Sequence, residues 1–228
     1  MECTLIVDRL NSSQEETDTR IILYCQYAEE EGYRSCKVRS PDTDVFFILL
    51  YYAHVFEKLT LLFDTGAGNN RRLLDITELS AGFNPNVRAA VMAVHAFSGC
   101  DTTSAFKGIG KIRPIKLLMS SQQYCEAFTK LGETSSVSDD VCNSLDSFTC
   151  ALYGKSCVNK VDVPRHPKIS DLCPDGGLPS KTVDFTSFPP CRRSLDEHIK
   201  RVNFQVGIWK LVLELNPELP DATGMVGL

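Results

Sequence analysis

The chain has 228 residues, 43% of them apolar, with a formal net charge of −5, which suits a packed globular protein and excludes both a disordered chain and a broadly basic nucleic-acid binder. Its longest apolar stretch, Val45 to Phe56, is interrupted by Tyr51, Tyr52 and His54 and falls short of the about 18 residues of a membrane span. Met1-Glu2-Cys3 lacks the basic start and apolar core of a secretory signal, so a soluble, intracellular protein is expected.

In chain order, Leu5 to Val7 predicts a short strand, and Gln14 to Glu31 a helix stopped by Gly32 and opened by a Ser13 to Glu16 capping box. Ile21, Ile22, Cys25 and Ala28 give that helix a buried side. Cys36 to Arg39 predicts a strand ending before Pro41. Asp44 to Phe56 predicts a helix that is apolar nearly all round and hence covered on several sides. Leu59 to Phe63 and Arg71 to Ile76 predict strands joined as a hairpin through Thr65-Gly66-Ala67-Gly68-Asn69-Asn70.

Asn84-Pro85 predicts the start of a helix to about Phe97, with Val87, Val91, Val94 and His95 on its inner side, which delivers Asp101 to the loop beyond. Helices are expected at Pro114 to Ser120, Ser121 to Leu131 and Ser138 to Tyr153. Val158 to Arg193 holds most of the prolines and predicts a long loop or linker. The last helix is expected to open with Ser194 and Glu197 as a capping box and to carry Leu195, Ile199, Val202, Val206 and Trp209 as a stripe that packs back on the same domain. The order strand, helix, strand, helix, strand implies an α/β core with a largely parallel sheet, in which function gathers at the carboxyl ends of the strands. The expected organisation is a core over 1–100, a helical region over 101–157, the loop over 158–193 and a helix with tail over 194–228.

Three acidic clusters carry the chemistry. Asp42-Thr43-Asp44 follows a strand, where alternate residues share a side and two carboxylates can face one pocket; Asp42 or Asp44 can equally cap the helix that follows. Glu16-Thr17-Asp18 lies in a first helical turn, which favours acids with or without a metal. Asp101 sits among Ser98-Gly99-Cys100 and Thr102-Thr103-Ser104, small residues that permit close backbone approach or simply a turn. No acidic residue occurs from Thr102 to Cys125, whereas Lys107, Lys111, Arg113 and Lys116 do, and Gly108 and Gly110 expose backbone N–H groups that can cradle a phosphate. Gly66-Ala67-Gly68 is no P-loop. The four histidines have no metal-ligand spacing, and the ten cysteines, scattered without a C-x-x-C pair, are expected to be free thiols.

Taken jointly, these pieces resemble the flap-endonuclease family of structure-specific nucleases in the PIN-like superfamily, over about Ser12 to Ser120. The family's Glu-x-Glu pair corresponds to Glu16 and Asp18, its Asp-x-Asp pair to Asp42 and Asp44, its Gly-x-Asp to Asp101, and the turn of its helix–two-turn–helix to Gly108, Gly110 and Lys111. QEETDTRI, RSPDTDVF and GCDTTSAFKGIGK also resemble an animal group sharing this domain, with a link to mobile elements as a further expectation. The resemblance implies a PIN-like core followed by a helix–two-turn–helix and helical C-terminal region. It also implies two Mg²⁺ or Mn²⁺ ions held by Glu16, Asp18, Asp42, Asp44 and Asp101, and cleavage of branched or single-stranded DNA ends. Lys107, Gly108, Gly110, Lys111, Arg113 and Lys116 are the implied DNA-phosphate contacts.

The family has an earlier strand with another metal-binding aspartate, and upstream basic residues that act at the scissile phosphate. Here about a dozen residues precede Glu16, and Leu5-Ile6-Val7-Asp8 resembles the strand just before that cluster, so an N-terminally truncated member with an incomplete site and reduced or absent activity is expected. Two other readings compete: a non-catalytic nucleic-acid-binding or interaction module of the same fold, and a haloacid-dehalogenase-type phosphatase suggested by Asp42-Thr43-Asp44-Val45 after a strand.

Overall fold

The computed structural model describes residues 7, 10–14, 16–154, 160–162 and 188–218. Most of the expected strand over Leu5 to Val7, Asp8 and the greater part of the expected loop from Val158 to Arg193 lie outside them. The described elements are α1 (Thr17–Glu30), β1 (Ser35–Arg39), α2 (Thr43–Tyr52), β2 (Thr60–Thr65), β3 (Arg72–Asp75), α3 (Ile76–Ala81), α4 (Pro85–Phe97), α5 (Ile112–Met119), α6 (Gln122–Thr129), α7 (Asp139–Leu152) and α8 (Arg192–Lys210). The architecture is α/β and mostly helical. No helix among the described residues is long and apolar enough to cross a membrane.

The three strands lie in the order β1, β2, β3, with β1 parallel to β2 and β2 antiparallel to β3. The sheet is therefore small and mixed where a largely parallel one was expected. Connection length explains the difference: α2 makes the crossover that a parallel pair needs, whereas only 66–71 separate β2 from β3, which allows a hairpin alone. Gly66 starts that turn at φ +78°, where a Cβ would collide with the Asn70 carbonyl.

α2 buries Val45, Phe47, Ile48, Leu49, Leu50 and Tyr52, as its continuous apolar run requires. Val87, Ala90 and every α4 residue from Val91 to Phe97 are also buried, because α2, α5, α6 and α8 surround that helix. Pro85 opens α4, and Asn84 Oδ1 accepts the Asn86 N–H at 2.9 Å. Replacing Asn84 with Ala is expected to cost about 1 kcal/mol in urea unfolding, because the cap is lost and the apolar face is untouched.

Two helix starts depart from the sequence expectation. α1 begins at Thr17, three residues later than expected, and Glu16 caps it without a side-chain hydrogen bond. Ser12 and Ser13 are drawn away by the far end of the chain: Ser13 N–H and Ser12 Oγ both donate to the Leu215 carbonyl, at 3.1 and 2.8 Å, and Gln14 Nε2 donates to Val212 O at 3.0 Å. The Ser13 to Glu16 box therefore does not form. α8 begins earlier, at Arg192 behind Cys191, so Ser194 lies within the helix and Glu197 pairs with Lys200 at 2.9 Å. Its stripe of Leu195, Ile199, Val202, Val206 and Trp209 is buried, with α4 and α7 as packing partners, and Tyr52 Oη donates to the Trp209 carbonyl at 2.9 Å.

Asp64 on β2 is buried and bound by two arginines: Arg71 Nε reaches Oδ1 at 2.8 Å and Arg39 Nη1 reaches Oδ2 at 3.2 Å. Chiefly through the Arg71 hydrogen bonds, its pKa falls from the ordinary 3.8 to about 2. A depressed folded-state pKa stabilises the fold in full above the unfolded value and loses that stabilisation as pH falls through the folded one. The stability gap between wild type and Asp64→Asn is thus expected to hold from neutrality to about pH 5 and to close as pH falls from 3.8 through about 2, as followed by urea midpoints across that range.

Candidate metal and nucleic-acid site

Beyond β1 the chain must turn into α2, and it does so with its own side chains. Ser40 Oγ accepts the Asp42 N–H at 3.0 Å, and Asp42, in extended conformation, accepts the Asp44 N–H on Oδ1 at 2.8 Å. Asp42 is thus the N-cap of α2. Asp44 in the first turn is only 6% exposed, and its Oδ1 lies 2.8 Å from His95 Nε2 of α4.

His95 is 1% exposed and stacked on Phe47, ring centroids 4.1 Å apart, with Trp209 beyond at 6.1 Å. Burial pushes its pKa below the ordinary value against the upward pull of the Asp44 hydrogen bond, and the Lys111 charge lowers it further. A carboxylate only accepts, so Nε2–H donates the hydrogen bond to Asp44, while buried Nδ1 has no hydrogen-bond partner among the described residues.

α1 brings Asp18 to the same place. Its carboxyl pKa is raised, first by burial and then by repulsion from Asp42, Asp44, Glu16 and Asp101. Asp18 thus lies within electrostatic reach of the other four acidic positions singled out in the sequence, which are drawn from three separate segments. Glu16, Asp18 and Asp42 are half-buried, Asp101 is exposed and Asp44 is buried.

Asp101 rides on a tightly made loop. Gly99 has φ +110°, and a Cβ there would sit 2.6 Å from Ala105 Cα. Thr103 Oγ1 donates to the Ala96 carbonyl at 2.6 Å and accepts the Cys100 N–H at 3.0 Å. Lys111 completes the structure from the next turn: Nζ donates to His95 O at 2.9 Å, to Ser98 Oγ at 3.1 Å and to Gly99 O. A cation on the last carbonyls of α4 also suits the helix dipole, although burial lowers the lysine's pKa.

The basic turn divides in two. Gly108 takes φ +76° in open space within a turn closed by Ile109 N–H to Phe106 O at 3.0 Å, and Lys107, Gly108, Gly110, Arg113 and Lys116 are exposed. Lys111 instead points its ammonium inward. Sequence reasoning missed that direction and missed His95 as the partner of Asp44. The available signal was a histidine on the inner stripe of an otherwise apolar helix, six residues before Asp101.

Among the described residues, no three His, Cys, Asp or Glu side chains form a ready-made cage for an ion. The donors gathered here are all oxygens bearing like charge, the chemistry that Mg²⁺ or Mn²⁺ accepts and that a divalent charge would relieve. Comparison with protein-family models, with curated proteins and with solved structures finds no match.

Proposed function

We propose that this chain is a flap-endonuclease-like, metal-dependent phosphodiesterase with a PIN-like core, acting on branched or single-stranded DNA ends. The observation that carries the reading is the repulsion that Asp18 feels from Glu16, Asp42, Asp44 and Asp101, acidic residues that come from three segments of the chain. Those five would hold the ions, and bound Mg²⁺ or Mn²⁺ supplies Lewis acidity and a water made nucleophilic near neutral pH. His95 fixes one oxygen of Asp44, and Lys111 fixes the loop that presents Asp101. Exposed Lys107, Arg113 and Lys116 attract phosphates without reading sequence, and Gly108 admits the backbone closely. Work on DNA ends implies a nuclear location.

A second reading, the binding module without catalysis, draws support from the internal engagement of Asp44 and Lys111. The phosphatase reading gives Asp42 and Asp44 a role but leaves Glu16, Asp18 and Asp101 without one. Labelled flap and single-stranded DNA incubated with the full chain and Mg²⁺ or Mn²⁺ tests the nuclease reading against the binding module. Weak cleavage is expected, since the first metal-binding strand of the family has no counterpart before Glu16, and Asp42→Asn and Asp101→Asn each reduce it by more than the about 10- to 100-fold typical of residues that only orient a metal ligand. Cleavage that both substitutions leave intact sinks the nuclease reading. Salt-sensitive binding that weakens with Arg113→Ala, without cleavage under either metal, selects the binding module.

A further inference from the structure

We propose that Cys25 and Cys36 are a modification site, a dithiol that hydrogen peroxide closes reversibly into a disulfide joining α1 to β1. The inference is independent of the nuclease reading. Cys25 lies on the buried face of α1, and Cys36 is half-buried on the inward side of β1, shared with Val38. Both are free thiols, and their sulfurs are 3.7 Å apart. Closing the bond needs a further approach of about 1.7 Å. The residues between the two elements, Glu31, Gly32, Tyr33 and Arg34, are exposed, and Gly32 has open space around its Cα, so that turn can absorb the shift.

The pair also divides the chemical labour. The Cys25 thiol donates to the Cys36 sulfur, which lowers the Cys36 pKa to about 7 and raises that of Cys25. Near neutral pH Cys36 is therefore the nucleophile and Cys25 the resolving thiol. The Cys36 thiolate attacks one peroxide oxygen; an S–O bond forms as the O–O bond breaks, and the departing hydroxide takes a proton to become water. Cys25 sulfur then attacks the resulting sulfenic acid, an S–S bond forms as the S–O bond breaks, and the hydroxyl leaves as water with the Cys25 proton. Two thiols lose two electrons and two protons, and one peroxide becomes two waters. A dithiol reductant reverses the change by exchange.

The bond would fasten the helix that carries Asp18 to the strand that leads into Asp42. The test is to reduce the full chain, desalt it, titrate it with hydrogen peroxide at neutral pH, alkylate it in denaturant and map the peptides. A Cys25–Cys36 cross-linked pair is expected, absent before peroxide and removed by dithiothreitol, with circular dichroism unchanged by its formation. With Cys25→Ser, Cys36 is expected to be trapped by dimedone as the sulfenic acid. Recovery of both cysteines in alkylated form at doses that oxidise other thiols overturns the proposal. So does a disulfide that forms elsewhere, or one that appears only as the native circular dichroism is lost.

Discussion

Phe97→Ala is expected to destabilise the protein by about 3–5 kcal/mol, the cost of emptying a large aromatic from a site that cannot collapse. Phe97 has no exposed surface, and its ring centroid lies 5.3 Å from Phe106, 5.4 Å from Phe128, 5.9 Å from Phe148 and 5.1 Å from His198. Three of these neighbours come from α6, α7 and α8, so the ring is where α4 meets the helical half of the molecule. Phe128 and Phe148 are themselves fully buried and edge-on to each other at 4.8 Å, which leaves them little room to move into the void. Edge-to-face pairing contributes about 0.5–1.5 kcal/mol per pair beyond area alone. The hydrogen bond that His198 Nε2 donates to the Phe97 carbonyl, 2.8 Å long, survives the substitution, so the loss measures the ring. Urea unfolding should show a lower midpoint with an unchanged slope, and Phe97→Leu should restore part of the difference. A loss below about 1 kcal/mol would mean that the helical half does not pack on this ring.

The elements that were legible in the sequence are those with both a periodic face and a chemical stop. α4 had Asn84-Pro85 before it and a buried stripe within it; the hairpin had Gly66 in a six-residue connection; α2 had an unbroken apolar run that only full enclosure can satisfy. The failures share a cause. Ser13 and Ser194 satisfy a local capping pattern, yet Ser13 is taken by a carbonyl about 200 residues away, and Ser194 is overrun by a helix that starts at Arg192. A local signal lost to a tertiary hydrogen bond in one case and to helix extension in the other.

At the candidate site the sequence spacing singled out the acidic segments, because paired carboxylates at a strand end or helix start are a local pattern. What each oxygen does is not local. Asp44 meets His95 across 51 positions, and the side on which Lys111 lies depends on where Gly99 brings the α4 carbonyls. The Cys25 and Cys36 contact was hidden for a similar reason: eleven positions separate them, and no spacing motif marks a helix thiol that packs on a strand thiol.

Replacing Lys111 with Met is expected to destabilise the protein by about 2 kcal/mol and to leave the salt dependence of DNA binding unchanged. Met keeps an unbranched side chain one heavy atom shorter and removes the donor, so His95 O, Ser98 Oγ and Gly99 O all lose a charged partner. Hydrogen bonds to a charged group are worth about 1.5–3 kcal/mol each, and the relief of burying a neutral thioether in place of an ammonium offsets part of their loss. The loop bearing Asp101 loses its tie to α4, and metal-dependent cleavage should fall with it. An exposed phosphate contact behaves differently. Arg113→Ala or Lys116→Ala should reduce the slope of log K against log salt by about 0.7–0.9 per charge, with stability within about 0.5 kcal/mol of wild type. Urea unfolding and salt-titrated binding on the same variants separate the two roles. If Lys111→Met lowers the salt slope by one contact and leaves stability alone, Lys111 works on the phosphate rather than on the loop, and the inward tie does not hold when DNA is bound.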